Sequence, residues 1–378
     1  MRVKENCYDR NRENYALPFE HEFKKPFKNS IETLQERKFL IVEAIDISGV
    51  TGWGEVSAFS SPWYTEETIG TCLHMLKDFF IPNVVGREFN HPSDVPDSLA
   101  RYKGNRMAKA GLESAVWDIY AKKKGISLAE ALGGTREKVP AGVVVGLAPL
   151  DDMLKEIESY QKEGYQRIKI KIQPGQDVEL VKAIRTRFPN IPLMADANSS
   201  YKLKDISRLK ELDDYHLMMI EQPLQADDIV DHRHLQKHLK TAICLDESIC
   251  SADDARRAIE LGSCKIINIK PSRVGGLTEA LKIHDLCREH HMHVWCGGML
   301  ETGISRAQNV ALASLPQFTI PGDISSSSRY WDEDIVTPDI RIDNGFISVS
   351  KQPGLGVEVN QEIMRKYVTK MDVFTQHG

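Results

Sequence analysis

The sequence predicts an α/β protein: a modified (β/α)8 barrel with a weak eighth helix, preceded by an α+β capping domain that the C-terminal segment completes. Three observations carry that expectation. Lys171, Asp196, Glu221 and Asp246 recur at steps of 25 residues, and Lys270 follows 24 later. Each ends a short apolar run, with segments patterned as amphipathic helices between the runs, as in repeated parallel βα units. The first 135 or so residues and the last 50 do not keep this rhythm.

Taken in order, the apolar run from Phe39 to Ile47, the Ser48-Gly49 pair and Gly52-Trp53-Gly54-Glu55-Val56 predict antiparallel strands joined by a turn. Thr65, followed by Glu66 and Glu67, is expected to cap a helix running to about Ile81, and Met107–Lys124 carries apolar residues at helical spacing. Two aromatic, proline-containing stretches, 17–27 and 58–64, read either as lid loops over an organic substrate or as packing between domains. Gly133-Gly134 marks the expected boundary. The division is a cap over 1–135, a barrel over 136–325 and a segment over 326–378 that returns to the cap.

Eight strand endings are counted in the barrel: 143–146, 167–172, 192–196, 217–221, 242–246, 265–270, 292–297 and 318–323. A doubly wound sheet gives a similar alternation, but its sites cluster at one switch point, whereas here chemistry-bearing residues end strand after strand. Past Asp323 the run Ser325–Ser328 breaks the rhythm, and Asn344-Gly345 predicts a hairpin turn.

Composition excludes several classes. The net charge of −5 and pI of 6.2 give no electrostatic footprint for nucleic acid or an anionic membrane. Seven cysteines, odd in number and without a Cys-x-x-Cys, read as reduced, buried thiols. The charged N-terminus is unlike a signal peptide, and no apolar run reaches membrane length. A soluble, cytoplasmic enzyme acting on a small molecule is expected.

Asp196, Glu221 and Asp246 end three consecutive strands and so sit side by side on the barrel rim, where three negative charges repel one another unless a cation holds them. The donors are all hard oxygens, so Mg²⁺ is expected, with Mn²⁺ as a substitute. In a strand alternate residues share a face, which puts Lys169 and Lys171 on one side and the isoleucines between them on the other. Lys270 lies four strands on, across the barrel. Lysines in such a site are expected to have lowered pKa values, through desolvation, a nearby Mg²⁺ and another cation. Two amines facing each other across a divalent cation suit removal of a proton next to a substrate carboxylate.

These residues stand in Arg-Ile-Lys-Ile-Lys-Ile (167–172), Met194-Ala-Asp-Ala-Asn198, Ile220-Glu-Gln-Pro223, Leu245-Asp-Glu-Ser248, Ile269-Lys-Pro-Ser-Arg-Val-Gly-Gly276 and Cys296-Gly-Gly-Met-Leu-Glu-Thr-Gly303. Over essentially the full chain the pattern resembles the enolase superfamily and, within it, the o-succinylbenzoate synthase and N-succinylamino acid racemase family. The resemblance implies that Asp196, Glu221 and Asp246 bind Mg²⁺, that Lys171 is the acid/base with Lys169 as its partner, and that Lys270 is a cation over the intermediate or a second base. It implies substrate contacts at Asn198, Gly298 and Met299, with Phe23 and Trp63 supplied by the aromatic stretches, and assembly as a homo-oligomer. The implied reaction is loss of water from a succinyl-bearing cyclohexadiene carboxylate; racemisation of an N-succinylamino acid is the alternative.

Some relatives carry Ser where this chain has Val144, which removes a polar contact. Arg273 reads either as a cation tuning Lys270 or as a surface arginine. A scaffold that had lost catalysis would show a gap among the lysines and acids, and there is none. His290, His291 and His293, and His232, His234 and His238, are read as solvated or packing residues rather than metal ligands.

Overall fold

The computed structural model describes residues 13–28, 33–368 and 372–375. The chain starts with an antiparallel meander of β1 (Glu13–Lys28), β2 (Thr33–Ile45) and β3 (Thr51–Val56). β2 is apolar at consecutive positions because both its faces are covered. Leu40 and Val42 pack into the cap's own core, while Phe39 and Ile41 join the large core shared with the barrel. The expected loop at 17–27 is part of β1, which pairs with β2 as far as Glu22 before a bulge. Phe23 there stacks on Trp331 at 4.9 Å, so an aromatic run that resembled a lid is instead a strand held by a distant residue.

The helix Arg106–Lys124 crosses β3 at very short range. A Cβ on Gly54 would stand 1.9 Å from the Gly111 carbonyl oxygen, and one on Gly52 2.2 Å from that of Ala115, so glycine is required there for contact rather than for conformation. The preceding helix starts later than expected: Thr68, not Thr65, caps Ile69–Met75 by accepting from the Thr71 amide. Glu67 turns away to accept from Met107 and Ala108 N–H, capping the long helix instead. Beyond Met75 the chain passes through a π-turn, Leu76–Phe80, before a last turn at Ile81–Val84.

After β4 (Lys138–Pro140) come seven parallel strands, each hydrogen-bonded to the next: β5 (Gly142–Val145), β6 (Arg167–Lys171), β7 (Leu193–Asp196), β8 (Ile220–Glu221), β9 (Ile243–Leu245), β10 (Ile266–Ile269) and β11 (His293–Cys296). The expected eighth strand is a bridging segment rather than a ladder. Phe318 pairs with Val294, the Gly142 amide donates to the Gly322 carbonyl at 2.7 Å, and the Asp323 amide donates to that of Cys296 at 2.9 Å. Pro321, lacking an N–H, cannot join a ladder, yet the segment still closes the ring. Only a short 3₁₀ turn, Ser327–Arg329, follows where an eighth helix would lie.

Register explains the 25-residue interval. Lys171 is opposite Asp196, and Asp196 opposite Glu221, whereas Glu221 is opposite Cys244, so Asp246 stands one pleat repeat further on and keeps the same inward phase. Ile168 and Ile170 face outward into the helical layer, while Met194, Met219, Cys244, Ile266 and Trp295 fill the barrel interior beneath the rim.

The C-terminal segment is stitched onto both parts. β12 (Val336–Thr337) pairs with β14 (Glu358–Val359), β13 (Phe346–Ser348) with β4, and β15 (Asp372–Thr375) with β1 of the cap. The turn before β13 has Asn344 at φ +49° and Gly345 at +81°, the left-handed pair that a two-residue hairpin of matching twist needs. Among the described residues no helix is long and apolar enough to cross a membrane.

Candidate active site

A cleft of about 320 Å³ lies outside the barrel between the helix Gly303–Ala313 and the C-terminal segment, and none of the rim lysines or acids reaches it. The chemistry-bearing residues line a smaller cavity, about 70 Å³, at the carboxyl ends of the strands. Lys169, Lys171, Asp196, Asn198, Lys270 and Asp323 form one side; Phe59, Trp63, Tyr64 and Tyr330 form an aromatic wall, with Met299 and Leu300 between. Val144 is there too, presenting only methyl groups.

Both lysines of β6 reach one oxygen. Lys171 Nζ is 2.7 Å and Lys169 Nζ 3.3 Å from Asp196 Oδ2, and Lys169 continues to Glu221 Oε2 at 3.0 Å and to Asp323. Asn198 accepts from Lys171 at 2.7 Å through Oδ1 and donates to Glu247 Oε1 at 3.1 Å, so it fixes the amine. Opposite, Lys270 Nζ donates to Asp246 Oδ2 at 2.8 Å and to the Tyr64 hydroxyl at 2.9 Å. Gln222 braces this side by accepting from the Asp246 amide at 3.0 Å and donating to Ser248 Oγ at 2.7 Å.

Arg273 is not a surface arginine. It is 1% exposed, ion-paired with Asp246, and donates to the Asn268 carbonyl at 2.5 Å and that of Ile249 at 2.8 Å. The short helix Pro271–Val274 places it there, packed under Arg106–Lys124 of the cap.

In the protein alone, the neighbouring acids act on Lys169 and Lys270 in the opposite direction. Burial disfavours their charge, but Asp323, Glu221 and Asp196 outweigh it at Lys169, and Tyr64, Glu221 and Glu247 at Lys270, so both lie above the ordinary range. Conversely, Asp196 is buried, yet Lys171 and Lys169 hold it below the usual carboxylate range. Glu247 is pushed up to about 7, first by burial and then by Asp196 and Glu221.

The donor set fits a hard divalent cation. Asp196, Glu221 and Asp246 are buried oxygen donors on adjacent strand ends, Glu247 Oε2 is sealed with no protein hydrogen-bond partner, and burial together with Asp196 raises the pKa of Glu221. Among the described residues no three acidic, imidazole or thiol groups stand in direct ligand geometry. Ammonium and guanidinium groups lie between the acids, one or two at each, and supply the positive charge.

Asn198, Gly298, Met299 and Trp63 line the cavity as expected from sequence, whereas Phe23 does not; it packs behind Tyr330, a lining residue, at 6.1 Å. Tyr64, Glu247 and Asp323 received no role from sequence. Tyr64 and Glu247 sit next to residues that did, and Asp323 ends the eighth unit, but their contacts depend on which strands face each other. The histidine groups stay outside the site. His290, His291 and His293 are exposed, and buried His232 accepts from the Leu224 amide at 3.1 Å.

Comparison with known proteins matches residues 14–133 to the N-terminal domain of the mandelate racemase/muconate lactonizing enzymes and residues 152–363 to the enolase C-terminal domain-like family. The chain is 97% identical over 355 residues, 94% of its length and 96% of the relative's, to the o-succinylbenzoate synthase of Bacillus subtilis (strain 168). It is 44% identical over 338 residues, 88% of its length and 92% of the relative's, to the N-succinylamino acid racemase of Thermus thermophilus. A crystal structure of an enolase-superfamily member from Listeria innocua superposes with a TM-score of 0.94 at 42% identity, covering 97% of this chain and 99% of that one.

Proposed function

The chain belongs to the enolase superfamily, and from that premise we propose that it is an o-succinylbenzoate synthase, a carbon–oxygen lyase that dehydrates a succinyl-bearing hydroxycyclohexadiene carboxylate. The observation that carries this is the pair of amines, Lys171 on β6 and Lys270 after β10, on opposite sides of the acids that end the strands between them. A relative at 97% identity bearing that name supports it. Racemisation of N-succinylamino acids is a secondary capacity, supported by the 44% identical racemase and by the presence of both lysines.

Asp196, Glu221 and Asp246 would hold Mg²⁺, for which Mn²⁺ would substitute. Bound there, it supplies Lewis-acid stabilisation of the charge that the substrate carboxylate gathers as the α-proton leaves. Lys171, positioned by Asp196 and Asn198, takes that proton as the C–H bond breaks. The C–O bond then breaks, Lys171 returns the proton to the departing hydroxyl, and water leaves as the ring becomes aromatic. Lys169, one layer deeper, holds positive charge beside the reacting carboxylate. Lys270 presents a cation to the opposite face of the planar intermediate, or acts as the second base in racemisation. Compensating the acids' charge with a divalent ion would also remove the pull that holds Lys169 and Lys270 protonated.

The division into a cap over 1–135, a barrel over 136–325 and a returning segment belongs to the same proposal, supported by the pairing of β15 with β1. So do a cytoplasmic location and a homo-oligomeric state, the former supported by the free cysteines among the described residues. The test is turnover of both substrates by the purified protein, with magnesium and with a chelator. Dehydration that exceeds racemisation and stops on chelation is expected; rapid racemisation beside negligible dehydration would reassign the enzyme.

A further inference from the structure

Leu300 stands at φ +59°, a left-handed conformation that is costly for a bulky side chain and persists only where the surroundings impose it. It belongs to the turn 297–302, between β11 and the helix Gly303–Ala313, and with Gly298 and Met299 it lines the catalytic cavity. What imposes the conformation comes from the cap. Met299, although it follows a barrel strand, is part of the cap's own core, with Leu40, Val42 and Phe59.

Two charged cap side chains, each 2% exposed, grip the turn. Arg37 of β2 donates through Nη2 to the Met299 carbonyl at 3.3 Å and to that of Ser57 at 2.6 Å, and through Nη1 to the Ala58 carbonyl at 2.6 Å. Its guanidinium also lies 4.0 Å from the centre of the Phe59 ring, so one cation joins the aromatic wall to the turn that faces it. At the other end Glu55 of β3 accepts from the Thr302 amide at 3.1 Å, from Thr302 Oγ1 at 2.7 Å and from the Ser305 amide at 3.1 Å. A carboxylate of the cap thereby satisfies the first turn of a barrel helix. We propose that Arg37 and Glu55 are positioning residues of the active site, which clamp the turn 297–302 in its strained form and so fix the Met299 wall of the cavity against the Phe59 wall. The clamp stands on this geometry alone; its effect on turnover rests on the synthase reading above.

The test compares Arg37→Met, Arg37→Lys, Glu55→Gln and the Arg37→Met/Glu55→Gln double variant with wild type, all loaded with magnesium, by two readouts. The first, amide hydrogen exchange followed by mass spectrometry, needs no substrate. Exchange over 297–305 is expected to quicken about tenfold in Arg37→Met and in Glu55→Gln, the scale of one unmade buried hydrogen bond, and to stay unchanged in the barrel helix Asp177–Arg187. The second is steady-state turnover of the succinyl-hydroxycyclohexadiene carboxylate. KM is expected to rise about tenfold with kcat within about twofold of wild type, because the cavity wall is loosened while Lys171 stays in place. Arg37→Lys, whose ammonium still reaches a carbonyl, is expected to recover part of the loss. Both side chains hold one turn, so the double variant is expected to match the worse single variant rather than reach the roughly 100-fold product of two independent effects. Glu55→Gln keeps the side chain's shape and carries the test if Arg37→Met fails to fold. Wild-type exchange over 297–305 in the single variants overturns the clamp. So does a uniform rise along the chain, a fall in kcat at unchanged KM, or a double variant at the full product, each of which assigns the two residues to general stability. Quickened local exchange in a protein whose wild type forms no o-succinylbenzoate supports the clamp and removes the synthase reading instead.

Discussion

Asp323→Asn isolates the charge network beneath the rim. Asp323 joins the last barrel segment to two cations of β6, contacting Lys169 and receiving Arg167 Nη2 at 2.5 Å, with side-chain exposures of 8%, 4% and 0% for the three residues. In the variant Lys169 keeps Glu221 and Asp196, but Arg167 is left with the Pro321 carbonyl at 2.9 Å, Met194 Sδ and the face of Trp295. Removing one partner of a buried pair costs about 3 kcal/mol, because the other charge stays buried and uncompensated. With an unfolding entropy of about 2.1 cal/mol/K per residue, a chain of 378 residues loses stability at roughly 0.8 kcal/mol per kelvin near its midpoint. The melting temperature should therefore fall by about 4 °C, read by calorimetry at neutral pH. Lys169 and Arg167 hold Asp323 below its ordinary pKa despite burial, so wild type keeps this contribution above the usual carboxylate range and loses it only in strong acid. An Asp323→Asn protein melting within 1 °C of wild type would refute the claim that this carboxylate closes the barrel electrostatically.

Two further outcomes follow from the cap. Burial raises Glu113, whose Oε1 accepts from the Thr278 amide at 3.0 Å at the start of the helix Leu277–Glu289, to about 7 from 4.5. A carboxyl raised on folding stabilises fully below its unfolded pKa, and that contribution is lost as pH rises through 7; at about 1.4 kcal/mol per unit it amounts to about 3 kcal/mol. Melting temperatures should accordingly fall between pH 5 and pH 8, and less steeply in Glu113→Gln; equal slopes would contradict the assignment. Gly54→Ala should cost about 3 kcal/mol by urea unfolding, because its Cβ would meet the Gly111 carbonyl at 1.9 Å; a neutral substitution would mean that the helix moves freely.

The rim was legible in the sequence because a parallel barrel repeats one pleat phase at each strand end, so Lys171, Asp196, Glu221, Asp246 and Lys270 announce themselves by interval alone. The eighth ending, 318–323, was also legible in position but not in form, because Pro321 breaks the ladder while the segment keeps its place in the ring. β1 escaped for a different reason: what makes 17–27 a strand is its pairing with β2 and the stacking of Phe23 on Trp331, more than 300 positions away. Arg273, Tyr64 and Asp323 work through contacts between separate elements, Tyr64 reaching in from the cap, that no local pattern encodes. The lysine pKa values depended on how many carboxylates face each amine, which spacing alone does not reveal.

The most direct measurement compares wild type with Lys171→Ala, both with magnesium and the succinyl-hydroxycyclohexadiene carboxylate, following o-succinylbenzoate by its ultraviolet absorbance. Steady product from wild type and a loss of about 1,000-fold or more in a variant of unchanged melting temperature are expected. A folded Lys171→Ala protein that still forms the aromatic product at a comparable rate would contradict the assignment of that amine as the base.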